Sequence, residues 1–188
     1  MSAWVFEPGH TAAQFRARHM MVTWVRGHIK PVHGKVHLDF DRPRASSFEA
    51  TMNVGDLWTG VPERDTHLRS ADFFDVERHP LITFTSTRVD QIGQDDYTAG
   101  GDLTVRGVTR PGTLDVRYMG RWQTPYWEDG VDKGTMTRAG FTASTRVNRH
   151  DFGVSWQDRL PGGGIVVSDE VWITLDVEAI LEQDLTAA

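Results

Sequence analysis

The chain contains no cysteine. That excludes disulfides, thiolate nucleophiles and cysteine-held zinc. It has no run near the roughly 20 apolar residues of a membrane-spanning helix, so no span is expected. Its first residues, MSAWVFEPGH, lack the basic start, apolar stretch and small-residue cleavage site of a secretory leader. Read as it stands, the chain is expected in the cytoplasm. Positive charge is in deficit as well: the formal net charge is −6, which argues against a nucleic-acid partner. Glycine-rich phosphate cradles are missing, because LPGGGI has neither the GxGxxG spacing nor a following Lys-Ser/Thr. No serine sits in a GxSxG context.

What is present is a repeating period of two. Val36, Leu38 and Phe40 alternate with Lys35, His37 and Asp39. The same pattern places Phe48, Ala50, Met52 and Val54 on one face, then Ile82, Phe84 and Ser86, Leu103 and Val105, and Leu114, Val116 and Tyr118. It continues with Phe141, Ala143, Thr145 and Val147, with Val171, Ile173, Leu175 and Val177, and near the start with Ala13, Phe15 and Ala17. Eight runs with one apolar and one polar face predict antiparallel pairing with one wet side. Turn-rich segments such as DRPRASS, IGQDD and RGVTRPG separate many of them. The expected fold is all-β, a sandwich or a closed barrel. A barrel of eight strands leaves an interior that either packs shut or holds one small ligand. With no repeat, linker or low-complexity tract, residues 1–188 are expected to form a single domain.

Two segments break the alternation. HMMVTWVRG (19–27) reads as a short helix or an irregular turn, and ERDTHLRSADFF (63–74) as a short helix, with Thr66 as a possible cap. Both are expected to lie across a barrel end. In the second, Arg64, Asp65, His67 and Arg69 precede Phe73 and Phe74. Three roles suit such a segment: a corner braced by Arg64 and Asp65, a ligand mouth, or an acid–base group. Catalysis requires a titratable group within reach of a substrate proton, which adjacency in sequence does not supply. NRHDFGVSW (148–156) is similar. Arg149 and Asp151 either lock a strand-ending turn, with Gly153 in a tight conformation, or Arg149 holds a polar head group. His33 and His37 are four apart, but on a strand they are read as surface histidines, and no metal is expected. Of seven tryptophans, Trp4 and Trp172 are expected in a wall or on the surface. Trp24, Trp122, Trp127 and Trp156 fall in irregular segments, where aromatic side chains often line openings.

Five ordered blocks carry a family likeness: GHTAAQFRARHMMVTWVRGHI, RDTHLRSADFFDVERHPLITFTST, GGDLTVRGVTRP, RAGFTASTRVNRHDFGV and SDEVWITLDVEA. Covering nearly the whole chain, they resemble the YceI-like family. The resemblance implies an eight-stranded antiparallel lipocalin-like barrel with one or two short helices at its ends. It implies a long apolar ligand in the lumen: a polyisoprenoid, an isoprenoid quinone or a fatty-acid amide. It carries over no catalytic residue and no cofactor, and a homodimer is expected. The matching motif positions are His10, His19, Arg64, Asp65, Leu68, Phe73, Phe74, Pro80, Phe84, Gly107, Arg149, Asp151, Phe152 and Gly153. Many family members carry a leader that is not visible here, and WQTPYWEDGVDKG (122–134) is idiosyncratic.

Combining the inward faces with these motifs, the expected ligand-contacting residues are Phe15, His19, Met20, Trp24, Phe40, Met52, Phe73, Phe74, Phe84, Leu103, Phe141 and Arg149. The expected function is carriage or sequestration of an apolar chain. The alternative is an enzyme using the same lumen, with His19 and Asp65 as acid–base candidates. A third reading is a packed barrel that acts through its surface.

Overall fold

A computed structural model describes residues 1–158 and 160–187. Eleven strands form one antiparallel sheet: β1 Ser2–Phe6, β2 Ala12–His19, β3 Thr23–Ile29, β4 Val32–Leu38, β5 Ser47–Asn53, β6 Leu57–Trp58, β7 Leu81–Gln91, β8 Asp96–Val105, β9 Val108–Glu128, β10 Val131–Asn148 and β11 Val167–Leu181. Two short helices accompany them, α1 at Pro62–Arg69 and α2 at Glu182–Ala187.

The register reduces eleven segments to eight staves. β11 pairs with β10 along one edge; on its other edge it pairs with β2 over Val167–Asp176 and with β1 over Ala179–Leu181. β1 and β2 are therefore one interrupted stave. β3 pairs with β2 and β4 with β1, forming a second, and β6 and β5 form a third. β7, β8, β9, β10 and β11 complete the ring. This is a closed eight-stranded antiparallel barrel, which leaves few unpaired edges.

The period of two fixes which side chains enter it. On β5, Ala50 and Met52 are buried while Glu49 and Asn53 face out or lie at the rim. Phe–Gly contacts at Gly27, Gly34 and Gly101 draw neighbouring strands together. A Cβ on Gly27 would fall 2.4 Å from the Phe15 ring, and one on Gly101 would fall 2.6 Å from the Phe84 ring. Only glycine lets these rings lie flat on the adjacent backbone.

Several expectations need correction. Residues 19–27 form no helix: residues 20–22 are a turn, as the second alternative held, but Thr23–Ile29 continue as strand β3, so the segment is a hairpin. Helix α1 is present, but Val61 occupies its N-cap position with Pro62 in its first turn, and Thr66 lies inside the helix. Proline suits that first turn because its missing N–H would have no helical partner. Trp122 and Trp127 lie on the extended β9–β10 ribbon, and Trp4 is in the core.

Candidate functional site

The lumen contains two apolar chambers end to end. The deeper one lies toward α1 and measures about 1290 Å³ counted out to its opening. Phe15, Ile29, Met52, Leu68, Phe74, Ile82, Leu103 and Ile173 are among its walls. The second, about 850 Å³ by the same count, lies toward the β4–β5 loop and is lined by Leu38, Phe40, Val89, Tyr97, Val116, Tyr118 and Phe141 among others. Phe48, Ala50, Leu114 and Leu175 line both and so form the waist between them.

Of the sequence-predicted contacts, Phe15, Met52, Phe73, Phe74, Phe84, Leu103 and Arg149 line the deep chamber. Phe40 and Phe141 line the outer one. His19, Met20 and Trp24 line neither; they lie at or beside the β2–β3 turn. Sequence reasoning passed over Tyr97, the second residue of β8, at an IGQDD-to-strand junction. It named Leu68 as a motif position but not as a ligand contact, because a helical position hides its inward direction from a period of two.

The charged segment before Phe73 is a braced lid. Both Asp65 carboxylate oxygens accept from the Thr59 backbone N–H, at 3.0 and 3.1 Å. The Thr59 hydroxyl also donates to Asp65. Arg64 donates to the Thr59 hydroxyl at 2.7 Å and to its carbonyl at 2.9 Å. Arg69 donates to the Gly55 carbonyl at 2.9 Å and also to that of Leu57. The helix is thus tied to β6 while Leu68, Phe73 and Phe74 turn into the lumen. Phe73 packs against Trp156, with ring centroids 5.3 Å apart, and His67 meets both rings edge-on at 5.0 Å. Arg106, in the β8–β9 turn, straps the lid by donating to the Ala71 and Gly153 carbonyls. Asp65 does not line either chamber, and neither does His19, so neither acid–base candidate faces the lumen.

Arg149 is 5% exposed. Its guanidinium donates to the carbonyls of Ser168 (3.0 Å), Val154 (2.7 Å), Trp156 (2.8 Å) and Val167 (3.4 Å). Burial lowers its pKa from the usual value, and the Asp169 charge opposes that shift. The donors are turned toward backbone, so Arg149 fastens the 149–157 segment to the start of β11. Gly153 takes a left-handed φ of 70° at the end of the short 3-10 turn, as its sequence context predicts.

The outer rim is more polar. Asp39 accepts from the Arg42 backbone N–H at 2.9 Å and from its guanidinium at 3.0 Å. Desolvation pushes the Asp39 carboxyl up, but the bonds and charge of Arg42 outweigh it and hold the pKa below the ordinary value. Phe40 is 45% exposed, 5.5 Å from the Tyr118 ring, with the Arg121 guanidinium 5.4 Å from its own centroid. Desolvation raises the pKa of both Tyr97 and Tyr118; the Asp95 charge adds to it at Tyr97. Among the described residues, neither phenol has a hydrogen-bond partner.

Outside the lumen, the ligand atoms of Glu7, His10 and Glu178 come within 4.8 Å of one another. Arg138 already pairs with Glu178, and His10 meets Glu7 at 2.7 Å. That makes the group a cluster already engaged with Arg138 and with its own histidine. No helix among the described residues is long and apolar enough to cross a membrane.

A closed barrel with an apolar lumen, a braced lid and one polar rim defines a lipocalin-like architecture. The YceI-like domain pattern matches residues 4–179. Protein YceI of Escherichia coli is 34% identical over 177 residues, covering 94% of this chain and 85% of that protein. A UPF0312 protein of Azotobacter vinelandii is 32% identical over 174 residues, covering 93% and 83%. The chain belongs to the YceI-like family. Among solved structures, Burkholderia cenocepacia BcnA superposes with a TM-score of 0.74 at 20% identity, covering 92% of this chain and 98% of that one. A polyisoprenoid-binding domain from Saccharophagus degradans does so at 0.65 with 12% identity, covering 96% and 99%.

Proposed function

We propose that the protein binds and carries, or sequesters, a long-chain isoprenoid lipid. The observation that carries this reading is the lumen itself: two apolar chambers that share the wall residues Phe48, Ala50, Leu114 and Leu175, with Asp39, Tyr97 and Tyr118 lining the outer one. Each methylene moved from water into such a wall gains roughly 0.8 kcal/mol before ordering losses. A chain of a few isoprene units is then retained without any polar contact. Membership of the YceI-like family and the likeness to a fold whose solved relative is a polyisoprenoid-binding domain support the same class of ligand.

The tail occupies the deep chamber and the polar end lies at the outer rim. Tyr97 and Tyr118 are protonated at neutral pH like any phenol, and desolvation raises both pKa values further. Each offers an O–H to an acceptor such as a quinone or amide carbonyl. This favours a ligand with a neutral, hydrogen-bond-accepting head over a bare hydrocarbon.

The test is native mass spectrometry of protein purified from its own host, followed by denaturing extraction and lipid identification. One long-chain species per barrel is expected. Protein that is empty, and stays empty after incubation with polyprenyl lipids and quinones, rejects the reading. The same spectra report whether the expected homodimer forms.

A further inference from the structure

The β2–β3 turn is built against its own local preferences. Met20 and Met21 both take left-handed φ values, 50° and 58°. Asn and Gly are the usual residues for consecutive left-handed positions, and a side chain with a Cβ is strained there. The strained turn leaves three apolar side chains in solvent: Met20 is 40%, Met21 44% and Val22 79% exposed.

The strands behind this tip break a second rule. Arg16 and Arg26 stand directly opposite each other in the β2–β3 ladder, where like charges repel. Arg18 stands opposite Trp24, its guanidinium 4.1 Å from that ring's centroid. Arg16 lies 4.8 Å from the same ring and 5.9 Å from Trp172. Among the described residues, Arg16, Arg18 and Arg26 have no carboxylate partner at ion-pair distance. On the adjacent β11 strand, Glu170 is paired with Arg146 and Asp169 with His150. In a chain of net charge −6, this is a local positive face with an apolar point and two tryptophans behind it.

We propose that this tip and face dock the protein on a bilayer surface carrying anionic headgroups. Met20, Met21 and Val22 enter the acyl boundary, Trp24 lies at headgroup level, and Arg16, Arg18 and Arg26 meet the lipid charges. An apolar wedge ringed by amphipathic aromatics and arginines complements a membrane interface better than it does a purely charged polymer. The site also has a position. Ala17 and Val167 line the deep chamber, and His19, paired with Val167, begins the turn. Docking therefore sets the α1 end of the lumen at the bilayer, where an apolar ligand would be exchanged. The docking face stands independently of what the lumen holds.

The test uses the full chain and vesicles of phosphatidylcholine with and without phosphatidylglycerol, read by co-sedimentation. Binding to the anionic vesicles is expected to exceed binding to the neutral ones by about tenfold or more, and to fall with added salt. Arg16→Gln with Arg26→Gln should erase most of that preference. Met20→Asn with Met21→Gly and Val22→Ser should lower binding about tenfold without lowering the melting temperature, because Asn and Gly relieve the turn. Failure of the wild-type chain to sediment with anionic vesicles overturns the proposal, as does a tip variant that binds undiminished. A wild-type dimer that the tip variant disperses, without vesicle binding, assigns the tip to a second copy instead. Displacement from vesicles by single-stranded RNA that binds the tip variant equally well assigns the arginine face to nucleic acid. Lumenal lipid found by mass spectrometry in a chain that ignores vesicles defeats only the docking.

Discussion

At the scale of single residues, the motif positions divide into those that face the lumen and those that hold the wall. Arg149 belongs mainly to the second group. Its guanidinium serves four carbonyls from two segments, and a buried carbonyl left without a donor loses about 1–3 kcal/mol. Arg149→Met keeps the bulk and removes every donor. It is expected to destabilise the fold by at least about 3 kcal/mol, measured by urea denaturation, with Arg149→Lys falling between. If Arg149 were instead a head-group ligand, Arg149→Met would leave stability near wild type and weaken only lipid retention. NRHDFGV announces a special corner in the sequence. The partners of Arg149 lie at residues 154–168, on a segment with no periodicity, so the choice between clamp and ligand was not legible there.

At the scale of elements, the lid from α1 to Phe74 converts charge into closure. Thr59, Arg64, Asp65 and Arg69 fix the helix, and Phe73 and Phe74 fill the end of the deep chamber. Phe73 is 5% exposed, so Phe73→Ala is expected to cost about 3–5 kcal/mol by thermal or urea unfolding. Phe74→Ala, at a half-buried position, should cost less and mainly speed release of a bound lipid, followed by transfer to acceptor vesicles. Unchanged stability and unchanged release in both variants would show that the lid neither packs nor closes. Alternation exposed the lumen-facing side of β5, β7, β8 and the inner parts of β9–β11, because one face is buried and the other wet. It could not reveal β3, whose start is obscured by the strained Met20–Met21 turn. It could not reveal β1, whose five residues are too few to show a period. Residues 119–135 project beyond the partner strands of the barrel, so both faces are largely exposed and the pattern fades.

At the scale of the whole molecule, the two chambers of the eight-stave ring abut where Phe48, Ala50, Leu114 and Leu175 line both. Ala50 is buried at the waist shared by the two chambers, beside Phe48, Leu114 and Leu175. A second ring there, added to that of Phe48, is expected to divide the lumen. Ala50→Phe is expected to cost about 1–3 kcal/mol by overpacking, leaving a folded barrel with two separate pockets. A ligand long enough to thread the waist should then be lost from the native mass spectrum, while one short enough for the deep chamber alone should remain. Retention of the same long chain by a correctly folded Ala50→Phe protein would place the ligand in a single chamber. The polar rim at Tyr97 and Tyr118 would then have no part in holding a ligand seated in the deep chamber. Because the waist is, among the described residues, the stretch the two chambers share, this substitution separates a tunnel that measures chain length from a pocket that measures only greasiness.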